Sequence, residues 1–181
     1  MAEAKPFHPV KLICGLIARL DDAFTKGEEH LVGLLGPSDS ASPFFDFDIT
    51  DYYEKQMGTG LKRRFLSFVE LRNPDEISDI KIETNRLESR LKKEFRSESR
   101  IINIDPGYLT ASALIMGTAK DFSHRIPLQK GIYAHLELLF RKTEIITLDW
   151  TYPDFKNKGY QKFFWEVRKK YLNQLRERNG I

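Results

Sequence analysis

Apolar and polar positions along this chain repeat with two periods, and the switches between them mark out its elements. Val10 to Ala18 is a short apolar run rich in β-formers, which predicts a buried strand. Phe24, Glu28, Leu31, Leu34 and Leu35 then recur at helical spacing, with Asp21 and Asp22 placed to cap and Gly36-Pro37 placed to stop. Residues 38–42 are small and polar and read as a loop. Phe45, Phe47 and Ile49 alternate with Asp46 and Asp48, which predicts a second strand, and Lys62 to Leu71 a third. Asn73-Pro74-Asp75-Glu76 is a helix start: Asn73 can accept from free N–H groups, Pro74 fits the first helical position, and Glu76 can reach back. Ile77, Ile80, Thr84, Leu87, Leu91 and Phe95 follow as one apolar stripe.

Arg100 to Ile104 predicts a fourth strand, ended by a turn at Asp105-Pro106-Gly107. Ala113 to Thr118 and Gly131 to Phe140 predict two more, and Thr143 to Leu148 pairs with the latter as a hairpin. From Pro153 the chain is helical, with Tyr160, Phe163, Phe164, Val167, Tyr171 and Leu175 on one face and Gly180 as terminator. The first elements run β-α-β-β-α-β, the order of the ferredoxin-like split βαβ. The fold class expected is therefore α+β: a mostly antiparallel sheet with that core, extended by extra strands and a long C-terminal helix. No linker or repeat interrupts residues 1–181, so one domain is expected.

Composition changes this picture little. With 29 Lys+Arg against 26 Asp+Glu, the net charge of +3 is too small to argue for nucleic acid by itself. Lys92, Lys93 and Arg96, and the basic residues from Lys156 to Arg178, lie on helices, where a solvated face competes with an anion-binding one. A single cysteine, Cys14, excludes an internal disulfide framework and a cysteine-based zinc site. Lys11 and Arg19 interrupt the N-terminal apolar run, so neither a signal peptide nor a membrane span is expected, and the expected location is cytoplasmic.

Candidate chemistry concentrates between positions 103 and 154. Asn103 and Asp105 leave a strand on one side, with Tyr108 just beyond; a carboxylate there can hold a metal, a hydroxyl or a proton, or simply serve a turn. Lys120, His124 and Arg125 cluster in one loop, suited to an anion, with His124 able to act as acid or base. Thr118-Ala119-Lys120-Asp121 has only a superficial likeness to a guanine-reading element, and no phosphate loop occurs. Tyr133, His135 and Glu137 share a strand face, with Leu136 and Leu138 on the other. His135 and Glu137 could join Asp105 or His124 around a divalent metal, or form a solvated face. Trp150 and Tyr152 can stack on a ring or plug the last helix against the sheet, and Thr151 and Asp154 can cap that helix. Asp51 can cap a turn or serve as an acidic ligand.

Asn-x-Asp-Pro-Gly-Tyr-Leu-Thr at 103–110, Lys-Asp-x-x-His-Arg-Ile at 120–126, Gly-Ile-Tyr-Ala at 131–134 and Trp-Thr-Tyr-Pro-Asp at 150–154 together resemble the bacterial domain of unknown function family 4416. Pro-Val-Lys-Leu at 9–12 and Phe-Asp-x-Thr-x-Tyr-Tyr-Glu-x-x-Met-Gly at 47–58 fit as well. The resemblance covers nearly the whole chain. It implies a compact single domain and no particular activity. The family's pattern carries Glu where this chain has His135, so the resemblance lends no support to a metal role there, although Glu137 could compensate from the same face.

The leading expectation is a protein that binds a small anionic, phosphate-bearing and nucleotide-like ligand. Lys120, His124 and Arg125 would engage the anion, Asp105 a metal or hydroxyl, and Trp150 and Tyr152 the rim. Hydrolysis or phosphoryl transfer is the matching chemistry, with His124 as acid/base and Asp105 as its partner. A non-catalytic module that binds a protein or nucleic acid, and a divalent-metal hydrolase using His124, His135, Glu137 and Asp105, are the alternatives.

Overall fold

The computed structural model describes residues 3–50 and 52–179, so the expectations for Asp51 and Gly180 fall outside the described residues. In chain order the elements are β1 (Val10–Ala18), α1 (Asp21–Leu35), β2 (Ser38–Ala41), β3 (Phe45–Asp46), α2 (Glu54–Met57), β4 (Lys62–Arg72), α3 (Ile77–Glu94), β5 (Ile102–Leu109), β6 (Ala113–Thr118), β7 (Ile126–Pro127), β8 (Tyr133–Phe140), β9 (Ile145–Thr147) and α4 (Lys158–Asn179). Short 3-10 turns at Pro74–Glu76 and Pro153–Lys156 lead into α3 and towards α4. The strands form one sheet in the order β2-β4-β1-β5-β6-β8-β7, with β3 also on β4 and β9 also on β8. Every pairing is antiparallel. The α+β class, the antiparallel sheet and the long last helix are as the pattern predicts.

β1 is apolar throughout because it is central and covered on both faces. Leu12, Cys14, Leu16 and Ala18 pack on one side with Phe24 and Leu31 of α1 and Ile80, Leu87 and Leu91 of α3. Ile13 points the other way, into a core with Phe65 of β4 and Phe163, Phe164 and Val167 of α4. Ile17 shares that second face with Phe47, Met57 and Leu61, a smaller cluster under α2.

Several local expectations are corrected. Residues 38–41 form an edge strand rather than a loop, and the 45–49 strand is reduced to Phe45–Asp46. Asp21 and Asp22 occupy the first turn of α1 without making a side-chain cap bond, and Leu34 is exposed. The start of α3 is as its residues suggest: the Asn73 N–H donates to Glu76 Oε1 at 2.9 Å.

The largest correction concerns Asp105-Pro106-Gly107, which lies inside β5 and does not turn. The turn falls at Thr110, whose Oγ1 accepts from the N–H of Ala113 at 2.9 Å and of Ser112 at 3.2 Å. Pro106 is tolerated because β5 pairs with β6 only from Gly107 to Leu109, so its missing N–H faces an edge without a strand. Gly107 is required by contact: a Cβ there would lie 2.6 Å from the Ile115 carbonyl and 2.6 Å from Met116 Sδ. Proline and glycine serve here as edge residue and close-approach residue.

Along the open edge, α3 replaces the absent strand. Glu88 Oε1 accepts from the Ile104 N–H at 2.7 Å, and Lys81 Nζ donates to the Ile104 carbonyl at 2.8 Å. Arg100 Nε donates to the Ile102 carbonyl at 3.2 Å. Among the described residues no helix is long and apolar enough to cross a membrane.

Gly107→Ala is expected to lower unfolding stability by about 1–3 kcal/mol through overpacking. Gly33→Ala, on α1 with nothing within 4 Å of the new Cβ, should raise it by about 0.5–1 kcal/mol through helix propensity. Urea unfolding of both variants checks the pair; a Gly107→Ala protein as stable as the parent contradicts the close β5–β6 packing.

Candidate functional site

Arg63 is the buried centre of the first group of polar residues. β4 delivers it to the face that α4 covers, and Gly15 on β1 makes room, since a Cβ there would sit 2.7 Å from the Arg63 Nη2. The guanidinium lies over Phe65 at 4.9 Å, Phe155 at 5.1 Å and Phe47 at 5.7 Å. It pairs with Asp154 at 3.0 Å and stands 3.6 Å from Asp105. Lys81 approaches Asp105 from α3 at 3.4 Å, and Asn103 Nδ2 donates to it at 2.6 Å. Arg100 Nη2 donates to Asn103 Oδ1 and to Glu88 Oε2, each at 2.5 Å.

These contacts set the protonation states. Burial opposes the charge of Asp105, but Lys81, Arg63 and the Asn103 amide outweigh it and hold this carboxyl below its ordinary range. For Asp154 the balance reverses: burial wins over Arg63, and the pKa is raised. Burial likewise raises Glu88 against the pull of Arg100 and Lys81.

The second group surrounds β8. His135 and Glu137 are buried, at 1% and 0% exposure, so this is no solvated strand face. A bulge explains both that burial and a misassigned neighbour. Ile115 pairs with Leu136 and Leu114 with Leu138, leaving Glu137 as the extra residue. The alternation is thereby reset, and Leu138 packs into the α4-side core that was expected to exclude it. Thr151 Oγ1 donates to the Glu137 carbonyl at 2.6 Å, and the Tyr152 N–H donates to Glu137 Oε1 at 2.7 Å. Thr151 and Asp154 thus hold the site together rather than capping a helix; Asn157 Oδ1, accepting from the Gly159 N–H at 2.7 Å, does the capping.

His135 Nδ1 faces two groups, Arg125 Nε at 3.2 Å and His124 Nε2 at 3.2 Å, while its Nε2 lies 2.9 Å from Glu137 Oε2. That last contact is oblique, without an aligned ring N–H bond. The Tyr152 ring stacks on His135 with centroids 5.0 Å apart, and Trp150 stacks on His124 at 5.1 Å. The buried plug against α4 is Phe155 instead. Arg125 Nη1 donates to the Lys120 carbonyl at 2.7 Å and Nη2 to the Tyr152 hydroxyl at 2.5 Å. Burial lowers the His124 pKa, as do His135 and Arg125, with Glu137 opposing.

The two groups adjoin. The charge of Asp105 reaches the hydroxyls of Tyr53 and Tyr152, both raised above the ordinary tyrosine value, first by burial. Lys120 Nζ lies 4.0 Å from the centre of the Tyr52 ring, closing the rim between α2 and the 119–125 loop. Of the residues picked from sequence, Asn103, Asp105, Lys120, His124, Arg125, His135, Glu137, Trp150 and Tyr152 come together here, and Tyr133 precedes His135 on the same strand face. Tyr108 does not join: it pairs with Leu12 and packs on the α1–α3 core, across the sheet.

Asp105 is bonded to Asn103 and Lys81 rather than to His124, so the expected Asp105–His124 pairing is corrected. Among the described residues no group of three or more His, Cys, Asp or Glu side chains is arranged to hold a metal. The set Asp105, His124, His135 and Glu137 is not such a group: His135 Nδ1 is taken by Arg125, and Asp105 is held by Asn103 and Lys81. Arg63, Lys81 and Arg100 escaped sequence reading. The available signal was a cation inside the β4 run and another beside Ile80 on the apolar stripe of α3. A hollow of about 680 Å³ lined by Asp21, Glu28, Phe44 and Arg64 lies by α1 and shares no residue with this site.

Arg63→Met would strand Asp154 and cost about 3–5 kcal/mol of unfolding stability. Asp105→Asn should flatten the acid limb of the stability curve. The folded Asp105 pKa is depressed, so the carboxylate stabilises the protein above the unfolded value near about 3.9, and that stabilisation is lost as pH falls through the folded value. Denaturant unfolding from pH 2 to 7 measures both; an Asp105→Asn curve parallel to that of the parent contradicts the assignment.

No curated protein and no solved structure matches the chain. A family profile described as a domain of unknown function (DUF4416) matches residues 8–171. That span takes in β1 through most of α4 and every residue of the site, so the chain belongs to the DUF4416 family.

Proposed function

We propose that this protein binds a small anionic, phosphate-bearing and nucleotide-like ligand at the rim formed by Lys120, Arg125, Trp150 and Tyr152. One observation carries the reading. Among the described residues neither Lys120 nor Arg125 has a carboxylate within ion-pairing distance, whereas buried Lys11, Arg63 and Lys81 each have one. The uncompensated pair is ringed by exposed aromatics: Tyr52, Phe122, Trp150 and Tyr152. A cation pair supplies charge for a phosphate or carboxylate, and open ring faces supply stacking for a base.

Arg125 is pre-oriented for this. Three of its five N–H groups hold His135, the Lys120 carbonyl and the Tyr152 hydroxyl, which leaves two for a ligand. Asp105, with its side chain 26% exposed, can accept from a ligand hydroxyl. His124, next to Arg125 in the loop, supplies an imidazole for hydrolysis or phosphoryl transfer. A cytoplasmic setting, consistent with the single buried thiol of Cys14, belongs to the same reading.

Isothermal titration calorimetry against nucleoside mono-, di- and triphosphates and sugar phosphates tests this. Wild type should bind at least one of them. Arg125→Ala should weaken that binding about 10- to 100-fold, the value of a charged hydrogen bond, and Trp150→Ala should cost about 1–3 kcal/mol if a base stacks there. Indifference of the wild type to every phosphate compound ends the proposal. Tight, steeply salt-dependent binding of single-stranded nucleic acid in its place favours the interaction-module alternative.

A further inference from the structure

We propose that Glu137, His135 and Arg125 together fix the tautomer of His124, so that its Nδ1 is the base presented at the rim. The argument begins at the inner end. His135 Nδ1 accepts from the guanidinium Nε of Arg125, a group that cannot give up its proton, so a neutral His135 carries its own proton on Nε2. That nitrogen is 2.9 Å from the Glu137 carboxylate. The carboxylate is fixed from its other oxygen by the Tyr152 N–H, and Oε2 has no hydrogen-bond partner besides this close approach.

The outer end follows from the inner one. His124 Nε2 is 3.2 Å from the same Nδ1 lone pair, so it can only donate there, and it must carry the proton. The basic nitrogen of His124 is then Nδ1, which makes no hydrogen bond among the described residues and belongs to the residue just before Arg125 in the rim loop. Stacking on Trp150 fixes the His124 ring plane, and stacking on Tyr152 fixes that of His135. A proton taken up at His124 Nδ1 stays on that ring, because the Nδ1 of His135 already accepts from Arg125 and cannot take another.

Such a base suits hydrolysis of a phosphate or carboxylate ester held by Arg125, and in that respect it rests on the ligand reading above. Water gives a proton to His124 Nδ1 while its oxygen bonds to phosphorus or to the carbonyl carbon. The bond to the leaving oxygen breaks with its electron pair, and that oxygen receives the proton back from His124. The groups that bear on the His124 charge are Arg125 next to it, His135 and Glu137 from β8, and the Tyr152 hydroxyl held by Arg125. Glu137 and His135 are positioning residues in this scheme, and His124 alone meets the substrate.

Long-range proton–nitrogen NMR of the imidazoles reads this directly on the full chain. Both His124 and His135 should be Nε2–H tautomers near neutral pH. Glu137→Gln, which keeps the volume but removes the charge, should move His124 protonation to lower pH. Arg125→Gln, at the rim and less disruptive to folding, should move it to higher pH. A wild-type His124 in the Nδ1–H tautomer overturns the assignment, as does a folded Glu137→Gln protein whose His124 titrates as in the parent. Inorganic phosphate separates the two proposals: if it leaves His124 unmoved while the Glu137→Gln shift persists, the anion site fails and the His124 assignment stands.

Discussion

Strand β5 runs from Ile102 to Pro106 with no strand on its outer edge, and the backbone groups exposed there must find partners. α3 provides them with side chains that are charged. Lys81 and Glu88, seven residues apart and therefore on one helix face, take the carbonyl and the N–H of Ile104. Once inside, those charges need counter-charges. Glu88 draws in Arg100, Lys81 approaches Asp105, and Asp105 is shared with Arg63, which holds Asp154. A gap between two strands thus organises six ionised side chains on four segments of chain. The cations Arg63, Lys81 and Arg100 match the anions Glu88, Asp105 and Asp154 in number, so the interior group is neutral as a whole. Because each member satisfies another, removing one costs far more than the net worth of the pair.

Neutrality inside makes the imbalance at the rim informative. Lys120 and Arg125 sit within one short loop, and the nearest buried anion, Glu137, reaches Arg125 only through His135. Arg125 is nonetheless tightly oriented, which separates it from an ordinary surface arginine whose solvated side chain would be free. Order without charge compensation is what an anion site requires before its ligand arrives, since less entropy is then lost on binding. The aromatic side chains have the same double character. Trp150 and Tyr152 are each held by stacking on a histidine while keeping about two fifths of their surface open.

Much of the fold was legible because periodicity reports burial. The stripe from Ile77 to Leu91, the two-sided apolar run of β1 and the hairpin of β8 with β9 all follow from which positions are apolar. The errors have a common cause. Asp105-Pro106-Gly107 has turn composition, but whether proline and glycine bend a chain or lie in a strand depends on the neighbouring edge, and that is tertiary information. Arg63 and Lys81 were passed over for the same reason: a cation within an apolar run reads as a solvated exception until its counter-charges are seen. The loop and strand residues around Arg125 were more visible, because chemistry-bearing side chains crowd together there in sequence as well as in space.

The β8 bulge joins the fold to the site. With regular alternation, His135 and Glu137 would lie side by side on one face with Leu138 opposite. The extra residue lets Leu138 return to the α4-side core while Glu137 still turns its carboxylate towards His135. The strand therefore buries the Glu137 carboxylate directly before a core leucine while His135 keeps its place on the face that Leu138 joins three residues on, which strict period-two alternation does not permit. A carboxylate so buried needs a neighbour at each oxygen. Here the Tyr152 N–H holds one oxygen, and the other faces an imidazole that the Arg125 guanidinium prevents from carrying its proton elsewhere. The cation that marks the rim as an anion site is thus the same group that fixes the proton arrangement beneath it, and the loop from Lys120 to Arg125 cannot be altered for one role without disturbing the other.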